Sequence, residues 1–228
     1  MILSALRTRL RSLLDDTESD RYKWTDSELN NAINDALQDA LVRARLTIQD
    51  SISLPFTQTA GVWDSKYALP PSYLEVLSVR LNSAPQKPLL RTSISYEERV
   101  TGIRPVSQTG VYAFALDQTT VNGASGLPER SITFLGAPTE ADTAILDVSR
   151  LPATLVADSQ IPEIDPMWHS DLLWGAAFYA YNKKDADTFD PGAIARYYSL
   201  FEERFGEKLP AVVIRERQTD VPMEMIVC

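Results

Sequence analysis

The single histidine of the sequence lies in a segment whose residue types resemble those of a hydrolase. His169-Ser170-Asp171 supplies a base, a nucleophile and an acid, as a catalytic triad does. Consecutive residues of an α-helix point about 100° apart, so these three side chains cannot hydrogen-bond in series. We therefore predict that His169 lies on the surface or in an interface and has no catalytic role.

Carboxylates cluster in two places where they could hold a metal ion. The clusters are Asp15, Asp16, Glu18 and Asp20, and then Asp185, Asp187 and Asp190. The second lacks the regular Asp spacing and the distant Glu of a calcium loop, so a helix-capping loop explains it better, with calcium as the less favoured alternative. The single cysteine, Cys228, allows neither a disulfide nor a thiolate metal site. No phosphate-binding loop, zinc-protease motif or nucleophile elbow occurs, and we expect no enzyme activity, no cofactor and no metal.

The composition restricts the classes of partner. The chain has 228 residues, 44% of them hydrophobic, which is enough to bury a core without disulfides. Its 31 acidic and 22 basic residues give a net charge of −9. This balance argues against a protein that grips nucleic acid over most of its surface, but it allows a wall past which DNA slides. No apolar run approaches the roughly 20 residues of a membrane span, and we expect no membrane contact.

Helical patterns occupy the first part of the chain. Leucines at helical spacing over residues 2–15 predict an amphipathic helix whose apolar stripe packs on the next helix. Because arginines lie between these leucines, a basic membrane-surface helix is the alternative. Thr25 and Glu28 form a capping box, with Trp24 placed as a hydrophobic staple to Leu29. An alanine-rich apolar pattern then runs to Ala44 and indicates close helix–helix contact.

The middle of the chain is typical of β-structure. Prolines and glycines separate short strand-like runs, which are Tyr73–Leu81, Val111–Leu116, Ser131–Leu135 and Ala144–Arg150. In the first run, Val76, Ser78 and Arg80 should face one side of a sheet and Leu77, Val79 and Leu81 the other. The spacing favours a small antiparallel sandwich or barrel, and Ser93–Val100 is a candidate short helix.

Helix signals return after residue 158. Asp165-Pro166 and Asp190-Pro191 each pair a capping aspartate with a proline at the first helical position, and Gly206 marks the last helix end. The aromatic stripe of the last helix should face the alanines of the second helix. We predict an α+β fold in which N- and C-terminal helices pack as one helical bundle, with an inserted antiparallel β-rich domain and an extended C-terminal arm. The expected divisions are 1–46, 47–157, 158–206 and 207–228.

The last 22 residues are too apolar for a solvated terminus, although Pro210 and Pro222 prevent one continuous helix. Something should cover them, either another polypeptide or, as the alternative, the chain's own domain. A β-branched run could add a strand to a partner sheet, and the arginines after it could pair with acidic groups. The candidate partner-binding residues are Val212, Val213, Ile214, Arg215, Arg217, Met223, Met225 and Ile226.

Three stretches together resemble head–tail adaptor (connector) proteins of short-tailed bacteriophages. They are Arg21–Leu37, Leu69–Val79 and Tyr179–Phe205. The resemblance implies a homo-oligomeric ring, usually of twelve copies, that lies below the portal protein, extends the DNA channel and docks the tail nozzle or other tail proteins. It implies that the helical part forms the ring body and that C-terminal arms reach towards the portal.

We therefore expect a structural protein of the virion neck that is assembled in the host cytoplasm, and past which genomic DNA moves without sequence-specific binding. Within the phage class, a tail-completion protein is the nearest alternative. Outside it, the alternative is a carbohydrate- or protein-binding module whose β-rich insert presents Trp63, Tyr67 and Tyr112.

Overall fold

A computed structural model describes residues 1–93, 109–121, 128–183, 188–210 and 213. The chain divides into two compact units. The helical unit combines Met1–Thr47 with Leu151–Leu209, and the strand-rich unit contains Ile48–Arg150. The fold is therefore α+β. The helix predicted over Ser93–Val100 lies, apart from Ser93, outside the described residues.

The described helices all belong to the helical unit. They are α1 (Leu3–Leu13), α2 (Asp26–Ala44), α3 (His169–Tyr181) and α4 (Pro191–Phe205), with 3-10 turns at Ser19–Arg21 and Pro166–Trp168. One hydrophobic core joins the four α-helices, and its fully buried members include Leu3, Leu6 and Leu10 of α1. The leucine stripe that was predicted to pack on the second helix is buried in the same core as Leu29 and Ile33 of α2.

The predicted capping signals are present at three helix starts. The Thr25 hydroxyl accepts a hydrogen bond from the Glu28 amide, and the Glu28 carboxylate accepts one from the Thr25 amide, which completes the capping box of α2. Asp190 Oδ1 accepts from the amides of Gly192 and Ala193 at the start of α4. Asp165 caps a 3-10 turn, and α3 begins only after that turn, at His169.

His169 is fully buried, and the prediction of a surface or interface histidine was wrong. Its Nε2–H donates to the carbonyl of Ile164 over 3.2 Å, and its Nδ1 accepts from the amino group of Met1. Both ring nitrogens have partners, which is how a buried imidazole avoids the cost of unsatisfied polar groups. Burial is the main cause that lowers the pKa of His169.

The aromatic stripe of α4 packs differently from the prediction. The buried Phe201 ring lies against Gly175 of α3, and Ala36 of α2 lies beside the same glycine. The missing side chain at residue 175 makes room for the Phe201 ring. Tyr197 and Tyr198 lie against Tyr181 and Phe178, so the stripe packs mainly on α3.

The strand-rich unit holds ten described strands. They are β1 (Ile48–Pro55), β2 (Gln58–Thr59), β3 (Val62–Trp63), β4 (Lys66–Leu69), β5 (Tyr73–Leu81), β6 (Ala84–Pro88), β7 (Leu90–Thr92), β8 (Ala113–Val121), β9 (Pro128–Leu135) and β10 (Thr143–Arg150). All four strand runs predicted from the sequence overlap described strands, and Tyr73–Leu81 has the same bounds as β5, whereas Val111–Leu116 begins two residues before β8.

These strands form two four-stranded sheets and a short two-stranded pair. The first sheet has the order β1-β10-β5-β6 and is antiparallel throughout. The second has the order β4-β9-β8-β7, and β7 runs parallel to β8. The insert is thus antiparallel-rich and not purely antiparallel, because β7 reaches its neighbour by a long connection instead of a hairpin. Side chains from both sheets share one core, which includes Val79, Phe134 and Leu146.

A β-bulge changes the alternation predicted for β5. Ser78 pairs with Asp147 and Val76 pairs with Val148, so Leu77 is the extra residue of the bulge. Val76 and Val79 are both buried, whereas Leu77 is 45% exposed. The predicted faces were therefore wrong for Val76 and Leu77, because one extra residue shifts the period-two pattern.

Candidate attachment site at the root of the C-terminal segment

A charged cluster lies where the chain leaves α4 and starts its C-terminal segment. Asp39 and Arg43 occupy successive turns of α2, four residues apart, and Asp39 is the charged residue among the buried positions of this helix. Arg43 Nη2 lies 3.0 Å from Asp39 Oδ2, and both side chains are buried. An ion pair buried at this depth is stable only when further hydrogen bonds satisfy its atoms.

Arg43 supplies such a bond directly to the chain that follows α4. Its Nη1 donates to the carbonyl of Gly206 over 2.8 Å and lies 3.8 Å from Glu202 Oε1. The guanidinium also lies over the rings of Tyr198 and Phe201, at 5.4 and 5.2 Å from their centroids. Arg43 thus connects the last turn of α2 to the end of α4 and to the residue beyond it.

Asp39 connects the same cluster to α3 and to Lys208. Its Oδ2 accepts a hydrogen bond from the Tyr179 hydroxyl over 3.2 Å. Its Oδ1 forms no hydrogen bond within the described residues and lies 3.4 Å from the Lys208 ammonium. Burial, followed by the charge of Asp39, raises the pKa of Tyr179 to about 12. The phenol therefore stays protonated near neutral pH and acts as a hydrogen-bond donor.

A shallow groove of about 290 Å³ opens beside this cluster. It is lined by Asp35, Gln38, Asp39, Val42, Tyr179 and Lys208. The carboxylate of Asp39 is paired with cations and the Tyr179 hydroxyl is protonated, so both groups are engaged in holding the cluster together. Its chemistry suits the holding of a polypeptide by charged hydrogen bonds.

The residues predicted from the sequence to bind a partner cannot be compared with this cluster. Val212, Ile214, Arg215, Arg217, Met223, Met225 and Ile226 lie outside the described residues, and Val213 is described only as half-buried. Sequence reasoning missed Asp39 and Arg43. The signal that could have identified them is an i, i+4 acid–base pair inside an alanine-rich apolar face.

A second charged network explains the arginines of α1. Arg11 lies 2.5 Å from the buried Asp16 and 2.6 Å from Asp26, and its Nη2 donates to the carbonyl of Trp24. Arg7 lies 2.9 Å from Asp158. These contacts hold α1 to the start of α2 and to the connection before α3. Two of the three arginines that suggested a membrane-surface helix are therefore bound within the helical unit.

The described residues contain no group of three or more His, Cys, Asp or Glu side chains placed to hold a metal ion. Asp185 and Asp187 of the second carboxylate cluster lie outside those residues. Among the helices that the structure describes, none is long and apolar enough to cross a bilayer.

The aromatics of the alternative binding module are mostly part of the strand-rich core. The Tyr67 ring lies 6.0 Å from Phe56 and 5.8 Å from Phe134, and its hydroxyl bonds to the backbone at Thr57 and Asp64. Trp63 is half-buried against the same core, while Tyr112 is 37% exposed. Tyr67 is therefore a core residue of the strand-rich unit, whereas Tyr112 is accessible to solvent.

The described residues thus form a helical unit and a strand-rich insert, and a charged cluster on α2 holds the start of the C-terminal segment. A family model described as SU10 adaptor protein matches residues 1–225. The chain therefore belongs to the SU10 adaptor protein family and is a bacteriophage head–tail adaptor, a component of the virion that associates with other virion proteins. Among curated proteins, none matches this sequence.

Proposed function

We propose that the protein forms a homo-oligomeric ring, of twelve copies, between the portal protein and the tail in the neck of the virion. The helical unit, packed as a bundle, forms the ring body. The strand-rich unit faces outward or towards the tail nozzle, and the C-terminal arm reaches to the portal. The protein has no enzymatic role, and its function is to join two other assemblies around a channel for DNA.

The match of the adaptor family to residues 1–225 is the observation that carries this proposal, because it extends into the apolar C-terminal segment. The anchoring of Gly206 and Lys208 to α2 gives further support, since an arm needs a fixed root if it is to transmit force to the ring body. The acidic net charge of −9 suits a wall that repels phosphate, so that DNA passes without sticking.

Truncation of the arm tests the proposed docking on the portal. A chain that ends at Pro210 keeps the contacts of Gly206 and Lys208 and should remain folded. It should lose binding to purified portal rings, measured by co-sedimentation, because the apolar residues after Pro210 supply the buried area. A full-length variant with Arg215→Gln and Arg217→Gln keeps the apolar residues and should lose only part of the binding, which separates the charged contribution of the arm from the apolar one. Portal binding by the truncated chain equal to that of the full chain would refute the arm's role.

Imaging of assembled particles tests the ring. Copies of the adaptor bound to portal-bearing heads should form a closed ring with its own rotational symmetry in cryo-electron micrographs. Closed heterologous rings are the expected arrangement when one patch of a subunit contacts a different patch of the next. Adaptor density scattered as single copies on the head would contradict the proposal.

We also propose that the arm becomes ordered only on a completed portal, which would fix the sequence of assembly. An apolar segment that folds on binding pays its ordering cost at that moment. Amide exchange of residues 211–228 should be fast in the free chain and slow on portal rings. Slow exchange in the free chain would contradict this step.

A further inference from the structure

Two contacts hold the root of the C-terminal segment, Gly206–Lys208, to α2. They differ in how exposed their side chains are. The inner contact joins Arg43 to the Gly206 carbonyl, and the Arg43 side chain is only 1% exposed. The outer contact joins Asp39 to Lys208, whose side chain is 59% exposed. Exposed ion pairs contribute little to stability, and hydrogen bonds to a charged group are the stronger class. The Gly206 carbonyl is exposed, but the Arg43 side chain that binds it is buried and held by Asp39, so the inner contact is the firm one.

The backbone turns sharply at the firm contact. Gly206 has a φ of +85°, and a Cβ atom placed there would meet nothing within 4 Å. The glycine is thus required by its backbone conformation and not by crowding. Because Arg43 holds the Gly206 carbonyl, it fixes the direction in which the next residues leave α4.

We infer that Arg43 and Asp39 are positioning residues that set where, and in which direction, the C-terminal arm leaves the helical unit. This inference rests on the proposed function, because it concerns how the arm is presented to the portal. Arg43 holds the fixed end of the arm, and Asp39 orients Arg43 and limits the motion of Lys208.

Replacement of Arg43 tests the inference without removing the arm. In Arg43→Met the apolar stem still packs on Tyr198 and Phe201, but the bonds to Gly206 and Asp39 are lost. Amide exchange of Gly206, whose N–H donates to the Glu202 carbonyl over 2.8 Å, should rise by about tenfold, as expected when a hydrogen bond to a charged group is lost at the same residue. Portal binding should weaken by a similar factor, because without Arg43 the arm no longer leaves the helical unit in one fixed direction.

Arg204→Met is the matched control. Arg204 lies on α4 two residues before Gly206 and contacts the Trp174 ring at 5.8 Å, with no bond to the root of the arm. The control should leave both exchange and portal binding unchanged. Gly206→Ala provides an independent route, since it keeps Arg43 and disturbs only the positive φ. If Arg43→Met does not fold, Gly206→Ala serves as the test variant in its place.

Two results would overturn the inference. One is unchanged exchange of the Gly206 amide in a folded Arg43→Met protein, and the other is faster exchange with unchanged portal binding. A failure of the proposed function would be recognised by a different result. In that case the chain that ends at Pro210 would bind portal rings as well as the full chain does. The exchange measurement needs no portal and still decides whether Arg43 holds the root.

Discussion

The ring of Phe201 occupies the space that a side chain at Gly175 would need. A Cβ atom at residue 175 would lie 2.6 Å from Phe201 Cε2 and 3.0 Å from the Cβ atom of Ala36. Gly175→Ala should gain about 1 kcal/mol of helix propensity but lose about 1–3 kcal/mol through overpacking. We expect a net loss of stability, measured by urea unfolding and tryptophan fluorescence, which reports mainly the helical unit because Trp24, Trp168 and Trp174 lie there.

The double variant Gly175→Ala with Phe201→Leu is the control for this prediction. The smaller leucine leaves room for the new methyl group, so the alanine should cost less in that background than in the wild type. Equal costs in the two backgrounds would show that Phe201 does not set the requirement for glycine.

Acid should weaken the helical unit through Glu28. A hydrogen bond from Lys183 at 2.8 Å, followed by the capping bond from Thr25, lowers the pKa of Glu28 from its ordinary 4.5 to about 2. Because the pKa is lower in the folded state, this stabilisation is present above pH 4.5 and is lost as the pH falls towards 2. Glu28→Gln keeps a capping side chain but no charge, so its stability should fall less between those pH values. If the stability of the wild type and of Glu28→Gln falls by the same amount between pH 4.5 and 2, the acid effect does not come from Glu28.

The bulge in β5 predicts opposite responses at two neighbouring positions. Val79 is fully buried, so Val79→Ala should destabilise the strand-rich unit by about 2 kcal/mol. Leu77 is the larger residue, but it is 45% exposed, and Leu77→Ala should change stability by less than about 0.5 kcal/mol. Amide exchange in β5 and β10 measures both effects. A larger loss of stability for Leu77→Ala than for Val79→Ala would contradict the bulge and favour the regular alternation expected from the sequence.

The features that the sequence predicted correctly depend on contacts within a few residues. Thr25 and Glu28 are three residues apart, and Asp190 caps amides two and three residues later, so local spacing determines the geometry. Strand runs in the insert were recognised for the same reason.

The features that were missed depend on residues distant in sequence. Arg43 and Gly206 are separated by 163 positions, and the glycine under Phe201 is recognisable only once α3 and α4 are paired. The parallel pairing of β7 with β8 and the bulge at Leu77 are likewise set by neighbouring strands, which a single sequence does not specify.

Burial of His169 predicts a second acid-sensitive step, at higher pH than that of Glu28. Burial lowers the pKa of His169 below its ordinary 6.5, so the unfolded chain gains a proton there before the folded one does. Stability of the helical unit should therefore be complete above pH 6.5 and decrease as the pH falls below it. His169→Gln can still donate to Ile164 and accept from Met1, but it does not titrate. The unfolding midpoint of His169→Gln should not depend on pH between 6.5 and 5. If it falls with pH as steeply as that of the wild type, another group causes the effect.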